Sequence, residues 1–583
     1  MMNELDVIVQ EIAHDQQVDI ERILPYLTQT SIDDRLSANL KVASAFLQSD
    51  RHEKAKPYID RAWLLSAFDE KILDDYVAIN VACGEFEVVR EAYKCSGMSH
   101  AKAGRIDEAL IRFDQWQYAY ARHAGYDRYQ YDKEVLDAIK AMALPYRIDN
   151  HLSGTGTGSK LKIGYLLFGA TQFNTVIVKL AKTFAKYHDY TSFEIAFFIP
   201  NTLEEIKSSP QGMAAITEIE AFGSQVFVAP SAPTVAESLV GLAEKITEFE
   251  ADMLATQALL ADFRHYFIRC LDPAPFTLGF IYGALPQYSS FDLDWAVSPT
   301  LHPLMDTPAN CSHIRIETDL PSLEKITSKS RSELSIPEQA VLLVTSGRHV
   351  KFNSEPFWKV ISVLLARHSQ CCFLAIGVMT EQVGPELRLL FDGVEDRILF
   401  QPWQENYLSS VAVADIVLDT FPSGGGYTLL DAMSLGLPVV SFKNNFTLPY
   451  DQERWSLGGE CIFEEEVLAE AGDSEGFCQT VSRLVDNKAL RKKLGLRCQQ
   501  HTIEKFGSPK GMVARHEALY SKVLNKKQDV IKEMGWVPSV LELNKKTNNL
   551  KIKLENFSFQ AEVNGKYKVV LAYKQPYKTL QTT

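Results

Sequence analysis

From the amino end to about residue 148, apolar residues recur at i, i+3 and i+4 with very few glycines, the pattern of packed amphipathic helices. Residues 149–160, rich in Gly, Ser and Thr, then read as a linker. Beyond it the pattern alternates between strand and helix. Leu161–Phe168, Phe193–Ile199 and Phe276–Ile281 read as strands, with helices at Val176–Lys186 and Thr234–Glu250. A second series follows, with strands at Ala340–Thr345, Cys372–Ile376, Ile398–Gln401 and Ile416–Leu418. Its helices are Glu355–Arg367, Thr428–Leu435, Gly476–Asp486 and Ala489–Lys505. Leu550–Glu562 and Lys566–Tyr573 alternate polar and apolar around Asn564-Gly565, a hairpin signal. The expected fold class is α/β: two tandem Rossmann-like domains, 161–320 and 321–525, preceded by an all-α domain, 1–148, and followed by a small β element in a tail, 526–583.

Composition fits this picture. A chain of 583 residues, 46% hydrophobic and 23% charged, is neither disordered nor a coiled-coil rod. Its longest apolar stretches, such as Cys371–Met379, fall far short of a ~20-residue membrane span. The first twenty residues carry Glu4, Asp6, Glu11, Asp15 and Asp19 without an apolar block, so the expected address is cytoplasmic, with no transmembrane segment. The net charge of −14 argues against wrapping duplex nucleic acid. That charge is unevenly spread: from Ser521 onward 12 lysines face 5 acids, +7, leaving −21 on the rest. Tail lysines protect a sheet edge from pairing or form a docking patch for an acidic partner. The nine cysteines are scattered without a C-x-x-C pair, which points to structural thiols.

A weak repeat runs through the helical region. Ser49-Asp50-Arg51 with Ala55, Ile59 and Ala62 returns 34 residues later at Gly84, Val89 and Tyr93, and after 20 more at Gly104, Ala109 and Phe113. Gly, then Ala, then Phe at this spacing resembles the turn and second helix of a tetratricopeptide repeat; an ordinary helical domain gives the same pattern. The linker's Gly154-Thr-Gly-Thr-Gly158 precedes a strand instead of joining strand to helix, the wrong context for a phosphate loop.

The stretch from Ala414 to Val440 carries the chemistry: a strand ending at Asp419, the turn Pro422-Ser-Gly424-Gly425-Gly426, a helix from Tyr427, and a strand from Pro438. Glycines let a ligand approach the backbone, and the free N–H groups of a helix's first turn suit a phosphate. Asp431, one turn further in, can accept both hydroxyls of a ribose. A tight strand–helix turn with an acid favouring the helix dipole fits the same residues.

This stretch resembles the nucleotide-sugar site of the O-linked N-acetylglucosamine transferases and their bacterial relatives, glycosyltransferase family 41, which have the GT-B fold. Thr428 and Asp431 match the family positions; Gly426 and Tyr427 stand where many members have His-Thr. The resemblance implies that Thr428 and the amides of Gly424, Gly425, Gly426 and Tyr427 hold the β-phosphate of a UDP-sugar while Asp431 holds the ribose. It implies that Lys351, in Val341–Asn353, reaches the diphosphate, with Arg348 as a further cation where relatives often carry glutamine. A lysine so placed can offset charge on departing UDP, a job that a divalent metal does in other sugar transferases. Tyr407 falls where relatives set a ring against uracil, and Asp272–Asp294 looks like the family's acceptor-side segment. Asp292-Leu-Asp294 spells the D-x-D of a different, metal-dependent transferase fold and here reads as a loop entering a strand, so no metal site is expected.

The acceptor half departs from the family. The loop Leu167–Thr175 lacks the histidine that relatives carry, leaving Asp252, His265 and His302 as candidates for the base that takes a hydroxyl proton. The implied function is an inverting, metal-independent transferase moving N-acetylglucosamine or glucose from a UDP-sugar to a protein side chain, with no cofactor besides the donor substrate. Extension of a glycan on a glycoprotein acceptor, and a non-catalytic subunit partnering a second glycosyltransferase, stay open.

Overall fold

The structure is a computed structural model. It describes residues 4–14, 18–29, 31–123, 132–148, 160–167, 176–257, 263–280, 293–298, 311–404, 406–422, 424–443 and 458–525, and the backbone of tail strands within 540–573. Up to Tyr146 every described element is helical. Three of the helix ends share one geometry. Asp50, Gly84 and Gly104 take left-handed φ of 58°, 74° and 72°. In each, the following N–H (Arg51, Glu85, Arg105) reaches back five residues, to the carbonyls of Phe46, Asn80 and His100, at 2.9, 2.9 and 3.0 Å. This closure satisfies last-turn carbonyls and reverses the chain. It is the physical content of the spacing seen in the sequence, and the residues after each turn (Ala55 and Ile59, Val89, Ala109 and Phe113) are buried in the core.

The first sheet holds seven parallel strands: β1 Leu161–Leu167, β2 Phe193–Thr202, β3 Gln225–Ala229, β4 Met253–Gln257, β5 Thr277–Phe280, β6 Trp295–Ser298 and β7 Cys311–His313, in the order 3-2-1-4-5-6-7. The helical region shares a continuous apolar core with one face of this sheet. Phe113 and Trp116 meet the ring of Phe263 at 6.0 and 6.2 Å. Asp107 receives the first-turn amides of Val235 and Ala236 at 2.7 and 2.9 Å, an acid from one domain placed on a helix start of the next.

The other face is covered by the helices Val176–Tyr187 and Pro210–Ala221, joined by the helix Pro509–Asn525 through Met512, Val513, Tyr520 and Val523. Sequence order assigns this helix to the second unit; apolar burial returns it to the first. A buried polar chain fastens it. Glu517 accepts from His188 Nδ1 at 2.9 Å, His188 Nε2 meets the Tyr165 hydroxyl at 2.8 Å, and that hydroxyl meets Tyr520 at 3.0 Å. Its neighbour His516 lies among Phe184 and Phe280 with Nδ1 on the Met512 carbonyl at 2.9 Å.

Burial pushes the His516 pKa down to about 3 and also lowers that of His188. A histidine held neutral in the fold binds fewer protons than in the unfolded chain. Its stabilisation is therefore complete above the ordinary value of about 6.5 and is lost as pH falls below it. Each such histidine is expected to contribute a slope approaching about 1.4 kcal/mol per pH unit under acid conditions. Urea unfolding at about pH 7.5 and 5.5 checks this: His516→Leu should flatten the dependence by one histidine's share.

The second sheet is also parallel: β8 Val341–Ser346, β9 Cys371–Ile376, β10 Ile398–Gln401, β11 Ile416–Leu418, β12 Val439–Phe442 and β13 Leu468–Ala469, ordered 10-9-8-11-12-13. Cys371 and Cys372 are buried in β9, as expected of structural thiols. At the carboxyl ends of β8 and β9 the backbones nearly touch. Gly377 has φ 100°, and a Cβ there would lie 2.0 Å from the carbonyl oxygen of Gly347. Gly377→Ala combines that clash with left-handed strain and is expected to cost at least ~2 kcal/mol, read from chemical denaturation.

The tail forms four antiparallel strands: β14 Val540–Asn544, β15 Asn549–Leu554, β16 Phe557–Val563 and β17 Tyr567–Tyr573. The single strand expected over Leu550–Glu562 is thus two, paired with each other. The expected turn at Asn564-Gly565 lies outside the described residues, as do nearly all of the linker and most of the loop Leu167–Thr175.

Candidate active site

In each sheet the chain winds to one side of its first strand and then crosses to the other. Such a reversal leaves a crevice at the strands' carboxyl ends. In the second sheet it falls between β8 and β11, which pair directly. The loops leaving these strands are fastened to one another. Thr345 Oγ1 donates to the Leu418 carbonyl at 2.8 Å, and Ser354 Oγ to that of Phe421 at 2.6 Å. Ser354 also caps the helix Glu355–Arg367. Lys351 Nζ donates to the Gly424 carbonyl, so the ammonium lies on the glycine turn. Arg348 stands exposed just before the short 3-10 turn His349–Phe352 that carries Lys351.

Asp419 organises the turn. Buried at the end of β11, it accepts the Gly425 N–H on Oδ1 at 2.6 Å and the Ser441 hydroxyl on Oδ2 at 2.7 Å. The Gly425 amide therefore points inward and is spent on the fold. A Cβ on Gly425 would lie 2.9 Å from Thr428 Oγ1, so only glycine lets the turn close this tightly. The helix Tyr427–Ser434 starts from Gly426, and no side chain caps it. Its first-turn donors, at Gly426, Tyr427 and Thr428, are those a helix leaves without intrahelical partners.

Asp431 is buried one turn along. Tyr407 donates its hydroxyl to Asp431 Oδ2, and Lys179 Nζ lies 3.4 Å from the same oxygen. Burial, then Asp431, drives the Tyr407 pKa well above its usual range, so this hydroxyl keeps its proton. Tyr407 is thus tied to the carboxylate expected to hold the ribose. The Tyr427 hydroxyl is buried and its pKa is likewise pushed far up by burial, with Asp431 next in effect; Lys179 lies 5.7 Å from its ring centre.

The structure gathers Lys351, Arg348, Tyr407, Gly424, Gly425, Gly426, Tyr427, Thr428 and Asp431 on one end of the second sheet. It does not bring Asp252 there. Asp252 precedes β4, at the amino edge of the first sheet, and its carboxylate accepts the Lys162 N–H at 2.9 Å. It is a strand-pairing residue on the far side from the crevice, and its candidacy as base is withdrawn. His265 is buried with Nε2 on the Leu167 carbonyl at 2.7 Å, and His302 lies outside the described residues. Asp294 accepts from Thr277 N–H and Oγ1 at 2.8 and 3.1 Å, a structural use. Asp419 and Lys179 join the site from the structure and are not among the residues expected from sequence. A carboxylate at a strand end just before a run of glycine amides is a signal for Asp419. Lys179 comes from the opposite domain and has none.

Residues 340–487, which hold every one of these second-sheet groups, match the family described as Glycosyl transferases group 1. Over these residues the chain is similar to group 1 glycosyltransferases. The chain is 23% identical over 194 residues to the lipopolysaccharide core biosynthesis glycosyltransferase LpsE of Rhizobium meliloti (strain 1021), covering 33% of this chain and 54% of that protein. It is 29% identical over 140 residues to the N-acetyl-alpha-D-glucosaminyl L-malate synthase of Bacillus anthracis, covering 22% of this chain and 32% of that protein. The chain thus spans about half and about a third of the length of these two curated relatives. Among solved structures, a mutant O-GlcNAc transferase of Thermobaculum terrenum superposes over 90% of this chain and 99% of its own, with a TM-score of 0.51 at 15% identity. That likeness is one of fold: two tandem parallel α/β sheets in a GT-B-like arrangement. Among the described residues no helix is long and apolar enough to cross a membrane.

Proposed function

We propose that the chain is a glycosyltransferase resembling the O-linked N-acetylglucosamine transferases, moving N-acetylglucosamine or glucose from a UDP-sugar to a protein side chain with inversion and without a metal. The observation that carries this is the seating of Lys351 on the Gly424 carbonyl, at the mouth of a helix whose first-turn amides have no side-chain cap. A cation and a helix start converging from two loops make a site for a diphosphate. As the sugar leaves, negative charge grows on the bridging oxygen, and fixed positive groups lower the barrier without having to reorganise. Arg348 adds charge at the rim. Asp431, one turn into the same helix, accepts ribose hydroxyls, with Tyr407 fixing its carboxylate. The helical domain, sharing a core with the first sheet, presents the acceptor.

Co-expression with candidate acceptor proteins, followed by intact-mass spectrometry, tests the transfer. A mass gain of one sugar per site, absent with Lys351→Ala, supports it; unmodified acceptors throughout contradict it. A second reading, extension of a glycan already on a carrier, draws on the relative named for lipopolysaccharide core biosynthesis. UDP-sugar hydrolysis stimulated by a glycopeptide and not by the naked peptide selects it.

A further inference from the structure

We propose that Lys179 is a donor-positioning residue: a cation supplied by the opposite domain that faces the diphosphate across the crevice from Lys351. The inference rests on the nucleotide-sugar reading above and deepens it.

Three observations place Lys179 there. The helix Val176–Tyr187 follows β1, the strand at which the first sheet reverses, so its first turn sits at that sheet's carboxyl end, and Lys179 is in that turn. Its ammonium lies 3.4 Å from Asp431 Oδ2, 252 residues away in sequence and across the domain boundary. The same ammonium is 5.7 Å from the ring centre of Tyr427, the first residue of the helix whose amide donors form the anion site. The two lysines thus approach one helix start from opposite walls, one from each domain.

The chemistry of the site gives this cation a task. Both contacts to Asp431, from Tyr407 and from Lys179, fall on Oδ2. Without a donor, Lys179 offsets the charge of the buried carboxylate. When ribose hydroxyls take up that carboxylate, the ammonium is left with an anion of its own to find. Its side chain is 39% exposed and ends on a flexible stem, so it can turn by one or two rotamers. The nearest new negative charge is the diphosphate at the start of the same helix. Donor binding thus exchanges an ammonium–carboxylate pair for an ammonium–phosphate pair at the same helix. A cation acting this way distinguishes ligands by their phosphates and not by their nucleoside.

Calorimetric titration of the full chain and of Lys179→Ala and Lys179→Arg with UDP and with uridine tests this. Loss of the cation is expected to weaken UDP about tenfold, while uridine changes less than about twofold and arginine stays within about threefold of the wild type. Equal loss for UDP and uridine overturns the proposal, since Lys179 would then act only on Asp431. Tighter UDP binding by Lys179→Ala overturns it too, by making the pair a barrier to the donor. Wild-type protein that binds UDP with an unchanged Lys179→Ala retires this inference alone. Wild-type protein that binds neither ligand retires the nucleotide reading beneath it.

Discussion

Lys351→Ala is expected to lower the turnover of sugar transfer by roughly 10²–10³-fold, the cost of removing one preorganised donor from a site of developing charge. The reasoning is local. Lys351 is half-buried, and its ammonium already lies on the turn that precedes the helix Tyr427–Ser434. Positive charge fixed there stabilises a departing diphosphate more than a bound one, because the leaving group gains charge during the reaction. Turnover should therefore fall more than donor affinity does, and steady-state kinetics separate the two. Thermal denaturation should stay near that of the wild type, since what is lost from the fold is a lysine contact at a partly exposed loop. A fall in turnover of less than about tenfold would place the chemistry elsewhere.

The second large effect is on the turn itself. Asp419→Ala removes the acceptor of both the Gly425 N–H and the Ser441 hydroxyl, in a buried position where water does not replace it. Losing the acceptor of a half-buried amide and a buried hydroxyl costs on the order of 1–3 kcal/mol. The loss also frees the glycine turn, so nucleotide affinity should fall with stability. Asp419→Asn keeps one oxygen as acceptor and adds an amide facing a hydroxyl that can turn to accept; it is expected to lose about half as much. Chemical denaturation and UDP titration of both variants check the order.

How much of this was legible in the sequence follows from which forces are local. The two strand–helix series are written in the apolar pattern, and the strands it marks fall in two parallel sheets; the short edge strands β3, β7 and β13 carry too little apolar run to be read from it. Lys351 and the glycine turn lie 73 residues apart, yet their meeting was accessible, because each follows a strand of one parallel sheet and the loops of neighbouring strands converge. Tyr407 was placed near the site, but its role was not. Its hydroxyl bond to Asp431 is set by side-chain geometry that periodicity does not encode.

Asp252 failed for a reason of direction. It precedes its strand, so it sits at the amino edge, and "strand end" alone does not say which edge. Lys179 was illegible in principle. Nothing around it is unusual for the face of an amphipathic helix, and its partner arrives only when two domains are packed. The same holds for the helix Pro509–Asn525, whose apolar residues could cover either sheet until the chain of Glu517, His188, Tyr165 and Tyr520 fixes it on the first.

The crevice between β8 and β11 is proposed to hold the diphosphate of a nucleotide. Isothermal titration of the intact chain with UDP tests it most directly. Saturable binding in about the micromolar range is expected, weakened about tenfold or more by Lys351→Ala in a protein that remains folded. A folded wild-type chain with no measurable affinity for UDP, or one whose affinity is untouched by loss of Lys351, would contradict it.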